Sequence, residues 1–240
     1  MKRRSGKYSV ILLLLMLPAL ASAEKPTWAR KGTGFAGVCR SGNCRPLRIV
    51  APDKKSVVEV LYQDGNAYLR ITGPDKQVRE IRDVSSSPAN DLQWAPDSKA
   101  FFVDGSEGIP SPSYVQVFML DDAQLRPVDV TRQVEQDMVN TYPPCKAFYL
   151  DAASCREIER DPGYNLTAID WVDDSSTLVV MAQVPCTSNF GGIMCQVMGY
   201  EVEVPSGKIL QRMTPAEFKA KWQKSMAQRL QIPEKAQYQN

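Results

Sequence analysis

A short phrase is written three times along this chain, at residues 49–62, 92–108 and 168–181. Aligned, the copies bring Val50, Trp94 and Trp171 together, then Pro52-Asp53, Pro96-Asp97 and Asp173-Asp174, then Val57-Val58, Phe101-Phe102 and Leu178-Val179. Each copy reads as strand, tight turn, strand. Proline presets φ for the turn, and aspartate accepts a hydrogen bond from the backbone two residues on. The β-branched and aromatic pairs that follow suit a half-buried pleated surface. A second candidate hairpin follows each copy, at residues 67–81, 114–130 and 196–213, around turns at Gly73-Pro74-Asp75, Asp121-Asp122 and Pro205-Ser206-Gly207. In the last hairpin Tyr200, Val202 and Val204 alternate with Glu201 and Glu203, the period of a strand with one wet face. The repeating unit is therefore about four short strands. The chain should be mainly β, an array of about three four-stranded antiparallel units.

Strand, Pro-Asp turn, strand and hairpin, with a tryptophan ahead of the turn, resembles the repeat of TolB-type, WD-like β-propellers. That family writes the phrase as W-S-P-D-G-K followed by apolar residues. The likeness is clearest at Trp94-Ala95-Pro96-Asp97-Ser98-Lys99 and covers residues 47–213. This chain departs from the pattern at the turn glycine, where Lys54, Ser98 and Ser175 stand, and at Asp173, which replaces proline. The resemblance implies propeller blades and, often, a protein-binding role. Closed propellers have about four to eight blades. Three repeats therefore imply a further blade hidden in residues 24–46 or in the insertion, an open arch closed by other elements, or completion by a partner.

Two regions break the β pattern. The insertion at residues 132–166 has helical character: Thr131 is placed to cap a helix carrying Val134, Met138 and Val139, and residues 151–160 read as a second helix. Near the C-terminus Thr214-Pro215-Ala216-Glu217 is a capping box with proline at the first helical position. Phe218, Trp222, Met226 and Leu230 then form one apolar stripe before Pro233. Such a stripe must be buried: the open side of a short propeller is the leading candidate for its seat, and a partner-binding helix is the alternative. The expected organisation is thus residues 1–23, 24–46, 47–213 with the insertion at 132–166, and 214–240.

Residues 1–23 have a basic start, an apolar run from Val10 to Ala21 and Ala21-Ser22-Ala23 as a cleavage site, the pattern of a secretory signal peptide. Loss of Lys2, Arg3, Arg4 and Lys7 with it turns the formal net charge from +2 to −2. A near-neutral chain without a basic run has no electrostatic reason to seek nucleic acid or an anionic membrane. The protein is expected to be periplasmic or secreted, with no membrane anchor after cleavage. In an oxidising compartment the six cysteines read as disulfides, and the simplest sequence-local pairing is Cys39–Cys44, Cys145–Cys155 and Cys186–Cys195.

The chemistry is bounded by what is missing. There is no histidine, so Ser-His-Asp, Cys-His and histidine-metal sites are excluded. No C-x-x-C occurs, and neither metal nor cofactor is expected. Gly32-Thr33-Gly34-Phe35-Ala36-Gly37 matches G-x-G-x-x-G, but it leads into the Cys39–Cys44 loop rather than a helix and reads as a flexible loop. Two stretches look like recognition surface, 141–151 with Tyr142, Phe148 and Tyr149, and 185–195 with Phe190, Ile193 and Met194. The competing view has Phe148, Tyr149, Phe190 and Ile193 packing the loops onto the blades. The leading expectation is an exported, non-catalytic module that binds another protein, of inhibitor or immunity type in its specific form. The alternatives are a carboxylate-dependent hydrolase of envelope glycans using two of Asp104, Glu107, Asp121, Asp122, Asp173 and Asp174, and a structural subunit of an envelope assembly.

Overall fold

The computed structural model describes residues 32–34, 39–40, 43–44, 46–63, 66–82, 84, 91–106, 113–121, 125–128, 130–143, 151–160, 162–172, 175–186 and 191–229. The chain is mainly β, a propeller-like array of three blades. Blade 1 is β4 (Leu47–Val50), β5 (Val57–Gln63), β6 (Asn66–Thr72) and β7 (Val78–Ile81), hydrogen-bonded in that order. Blade 2 is β8 (Asp91–Trp94), β9 (Ala100–Ser106), β10 (Ser113–Met119) and β11 (Pro127–Val128). Blade 3 is β12 (Asn165–Val172), β13 (Thr177–Gln183), β14 (Val197–Glu203) and β15 (Ile209–Met213). All neighbouring strands are antiparallel. Helices α1 (Val130–Thr141) and α2 (Ala152–Arg160) fill the insertion, and α3 (Pro215–Arg229) follows blade 3.

Residues 24–46 supply no fourth blade among the described residues. Instead β1 (Gly32–Gly34) adds a fifth strand to blade 2, pairing antiparallel with β8, while β2 (Cys39–Arg40) and β3 (Asn43–Cys44) form a separate small hairpin. The G-x-G-x-x-G match is therefore not simply a loop, because its first three residues are a strand held by backbone pairing. The insertion boundaries also move. The first helix opens at Val130, and residues 165–166 already belong to β12.

The first two copies of the phrase form the same turn, and the third shares its left-handed position. Lys54, Ser98 and Ser175, the positions without the family glycine, all take left-handed backbone, with φ of 60°, 66° and 79°. This conformation disfavours any side chain by roughly 1 kcal/mol or more, so something must offset it. In the first two turns, Asp53 Oδ1 accepts from the amides of Lys55 and Ser56, and Asp97 Oδ1 from that of Lys99. The serines do more: the Asp53 amide donates to Ser98 Oγ at 2.9 Å and the Asp97 amide to Ser175 Oγ at 3.1 Å. Each serine hydroxyl thus ties its turn to the preceding blade, which a glycine cannot do.

The blades stack face to face. Val58, Val60, Leu69 and Ile71 of blade 1 meet Leu92, Trp94, Phe101 and Val103 of blade 2. Trp94 lies edge-on to Phe101, and its indole N–H donates to the Ile49 carbonyl of blade 1 at 3.3 Å. The next interface joins Phe102, Val115 and Val117 of blade 2 to Trp171, Leu178, Val180 and Val202 of blade 3, with Val134 and Met138 of α1 sealing its side. Trp171 repeats the place of Trp94, 5.9 Å from Phe102, though its indole N–H finds no acceptor among the described residues. Thr131 lies inside α1 rather than at its cap. Its hydroxyl donates to the Val115 carbonyl at 2.8 Å and accepts from the Val115 amide at 3.0 Å, occupying edge groups of β10 that β11 is too short to reach.

The far face of blade 3 is closed by α3. Ile169, Val179, Met181 and Met213 pack against Phe218, with Trp222 half-buried beside them. Phe218 lies directly over Gly199: a Cβ there would fall 1.9 Å from Phe218 Cδ2. The capping box forms as the sequence predicts, with the Thr214 amide donating to Glu217 Oε2 at 2.8 Å and the Glu217 amide reaching Thr214 Oγ at 3.4 Å. Lys221 adds an ion pair to Glu201 of β14. Helix α3 thus takes the position a fourth blade would occupy, which makes the array an arch closed at that end by its own C-terminal helix.

Candidate functional site

Antiparallel alternation gives the arch two ends. The Pro-Asp turns lie at one, and the loops joining the second and third strands of each blade lie at the other. At this second end the described residues of the two stretches singled out as recognition surface, Tyr142 and Ile193 among them, lie against the core between blades 2 and 3. The β13–β14 connection is stapled by Cys186–Cys195, with Cα atoms 4.5 Å apart. Its base is fixed by three backbone hydrogen bonds: Val184 amide to Gln196 carbonyl at 2.9 Å, Cys195 amide to Val184 carbonyl at 3.0 Å, and Gln196 amide to Ile193 carbonyl at 3.2 Å. Cys195 takes left-handed backbone, φ 63°, at the closing turn. A bridge over so short an interval stabilises by about 2–3 kcal/mol in the chain-entropy model.

Of the side chains proposed to bind a partner, Ile193 and Tyr142 are half-buried and pack against the core between blades 2 and 3. Tyr142 ends α1. Its carbonyl accepts from the buried Tyr164 hydroxyl at 2.8 Å, and its own hydroxyl lies 3.7 Å from Met198 Sδ. Met194 is 37% exposed, one of few large apolar side chains so open among the described residues. Phe148, Tyr149 and Phe190 lie outside the described residues, as does Cys145. Cys155 is on α2, and the register of β2 and β3 sets Cys39 opposite Cys44. Cross-strand Cα separations of about 4.5–5.5 Å fall within the range a disulfide spans.

A cluster that sequence reasoning missed holds α1 in place beside this end. Asp137 of α1 accepts from the buried Tyr200 hydroxyl of β14 at 3.0 Å and from Arg212 Nε of β15 at 2.7 Å, with Arg212 Nη2 on its other oxygen. Burial, with the Asp137 carboxylate alongside, pushes the Tyr200 phenol far above its ordinary range. The hydrogen bond to Asp137 raises Arg212 in turn, so Arg212 stays charged and Tyr200 stays neutral. No local pattern could have signalled three residues so far apart in the chain. Between α1 and α2 lies an open polar cleft of about 440 Å³, lined by Gln136, Asn140, Arg156, Glu159 and Arg160 among others.

The carboxylates considered for hydrolysis do not converge among the described residues. Asp104 Oδ2 accepts from the Ala168 amide at 3.1 Å, at the bulge where the β12–β13 register shifts. Asp121 sits exposed in the turn after β10, near the opposite end of the arch. Glu107, Asp122, Asp173 and Asp174 lie outside the described residues. Among the described residues no group of three or more His, Cys, Asp or Glu side chains could hold a metal ion.

No family model and no curated protein matches this chain. Among solved structures it is similar to TolB from Acinetobacter baumannii, a propeller-containing protein, with a TM-score of 0.32 and 10% identity. The match covers 70% of this chain and 32% of that one, so the chain spans about a third of the solved protein's length.

Proposed function

We propose that this protein is exported, periplasmic or secreted, and binds another protein without catalysis. Its repeat is of the TolB-type, WD-like kind, and its specific role is that of an inhibitor or immunity-type protein. The observation that carries the reading is Met194. An apolar side chain, 37% exposed, is held on a disulfide-closed, backbone-bonded loop above half-buried Ile193. Because the loop backbone is already held rigid, contact orders only the side chain, which lowers the cost of using it as an interface anchor.

The test is site-specific photo-crosslinking in native envelope extract, with the probe placed at Met194 and, as control, at exposed Asp121 near the far end of the arch. A discrete adduct at Met194, absent at Asp121 and weakened when Cys186 and Cys195 are both changed to serine, is the expected result. Equal labelling at both positions, or none, overturns the reading. Export is checked separately: the N-terminus of the protein recovered outside the cytoplasm should be Glu24.

A further inference from the structure

Besides Leu61 and Tyr68, with Arg82 over the Tyr68 ring, the outer face of blade 1 carries two rows of side chains that run straight across the four strands. One row is Arg48, Glu59, Arg70 and Glu80, each directly opposite the next in the ladder. The other is Val50, Val57, Thr72 and Val78, again paired strand to strand. Val50 is 47% and Val78 58% exposed, and nothing among the described residues covers them. Within the sheet Glu80 already pairs with Arg70 and Arg82; desolvation is the largest single influence and acts to raise Glu80, but the bonds and charges of the two arginines together outweigh it and hold the carboxyl below its usual range.

We propose that this face is a self-association surface whose occupant is the same face of a second copy, related by a two-fold axis running along the strands midway between β5 and β6. Such an axis reverses the order of each row across the sheet. The charged row, read positive, negative, positive, negative, then meets its own mirror order: Arg48 faces Glu80 of the second copy and Glu59 faces Arg70. Every contact is between opposite charges. The apolar row reverses onto itself as well, Val50 against Val78 and Val57 against Thr72. An unrelated partner would need this alternation by coincidence, whereas a second copy carries it by construction. Head-to-tail stacking onto blade 3 is closed off because α3 already covers that face, so the contact ends at a dimer and does not grow into a filament.

Four strands about 4.8 Å apart and a few residues long present a face of roughly 300–400 Å² per copy, well under the ~800 Å² of a standard interface. The dimer is therefore weak, and salt, which screens exposed charge pairs, dissociates it further.

Sedimentation velocity on the mature protein, from micromolar to near-millimolar concentration, should show a reversible monomer–dimer equilibrium that weakens as salt rises. Val78→Asp, at a position exposed in the monomer, should leave thermal unfolding at low concentration unchanged and weaken association by about tenfold or more. The sharpest arm uses Glu59→Arg and Arg70→Glu, each first confirmed as folded by circular dichroism. Each variant alone repels its own copy and should be monomeric, but the two rows complement one another, so an equimolar mixture should form the heterodimer. A monomer at every concentration, a dimer indifferent to Val78→Asp, or a mixture that fails to associate overturns the proposal.

Discussion

At one end of the array Gly199 lets Phe218 lie flat on blade 3, and at the other Arg48, Glu59, Arg70 and Glu80 cross a sheet face that no described residue covers. The two faces are equivalent problems, since every blade buries one face against its predecessor and the other against its successor. Blade 3 keeps an apolar face, with Val179, Met181 and Met213, and the chain supplies α3 to cover it. Among the described residues blade 1 has no predecessor, and its face differs in its residues instead. Where blade 2 has Val103 and blade 3 has Val180, both buried, blade 1 has Glu59. Where they have Trp94 and Trp171, it has Val50. The Trp94 indole donates to a carbonyl of the blade before it, and no described residue stands in that place for position 50. Among the described residues, the array thus has one outer face covered by a helix and the other altered in its residues.

The largest effect should come from uncovering the capped end. Gly199→Val puts a side chain where Phe218 sits, so α3 must lift and the face behind it meets water. Loss of a buried phenylalanine's packing costs about 3–5 kcal/mol, and equilibrium denaturation should show a loss of that order together with a red shift of Trp222 fluorescence. Tyr68→Ala, on the open face of blade 1 under Arg82, should change stability by no more than about 1 kcal/mol. Comparable losses at the two ends would show that both faces are covered.

The tryptophan position sharpens the same contrast. Trp94→Val removes a side chain that is 3% exposed, together with its bond to Ile49, and should destabilise by about 2–4 kcal/mol. The reciprocal Val50→Trp restores the repeat motif on a face with nothing to receive it, and should stay within about 0.5 kcal/mol at concentrations where the protein is monomeric. Thermal unfolding of the pair measures both.

Much of this was legible in the sequence because the phrase is local: alternation, turn-formers and the Trp-x-Pro-Asp spacing fix strands within a few residues of one another. The Cys186–Cys195 staple and the Thr214–Glu217 cap were legible for the same reason. The stripe on α3 announced burial, but its seat depended on Gly199, whose meaning is only that nothing stands there. Strand β1 escaped because Gly32-Thr33-Gly34 pairs through its backbone, leaving no side-chain period to read. Asp137, Tyr200 and Arg212 meet through the packing of α1 on blade 3, which no spacing along the chain encodes. At the loop end the sequence marked two stretches as recognition surface; it could not say that, of their described residues, Tyr142 and Ile193 would face the core and Met194 the solvent.

A smaller effect tests why serine replaces glycine in the turns that join the blades. Ser98→Ala keeps the left-handed strain and loses the bond to the Asp53 amide, so it should cost about 1–2 kcal/mol. Ser98→Gly loses the same bond but relieves the strain, and the two changes should nearly cancel. If glycine proves as damaging as alanine in a urea titration, the hydroxyl matters for more than this one bond. Neither substitution should alter the α3 end, because Ser98 links blades 1 and 2 only.

The smallest effect separates the two ends by pH. At the capped end, hydrogen bonds from the Thr214 hydroxyl and amide hold Glu217 below its ordinary value, while desolvation opposes them weakly. In the blade 1 turn, desolvation is the largest single influence on Asp53 and acts to raise it. The amides of Ser56 and Lys55 and the Ser56 hydroxyl together outweigh it, and the carboxyl ends lower than usual. A carboxyl whose folded pKa is depressed contributes stability that is complete above its unfolded value and is lost as pH falls through the folded one. Both contributions should therefore fade on acidification below the ordinary carboxylate range, and neither should change near neutrality. Glu217→Gln should flatten the acid dependence of Trp222 fluorescence, which reports α3, and leave the blade 1 turn titrating as before. Asp53→Asn should do the reverse. A variant that flattened both would mean that the cap and the first blade unfold as one unit, and the independence of the two ends would fail.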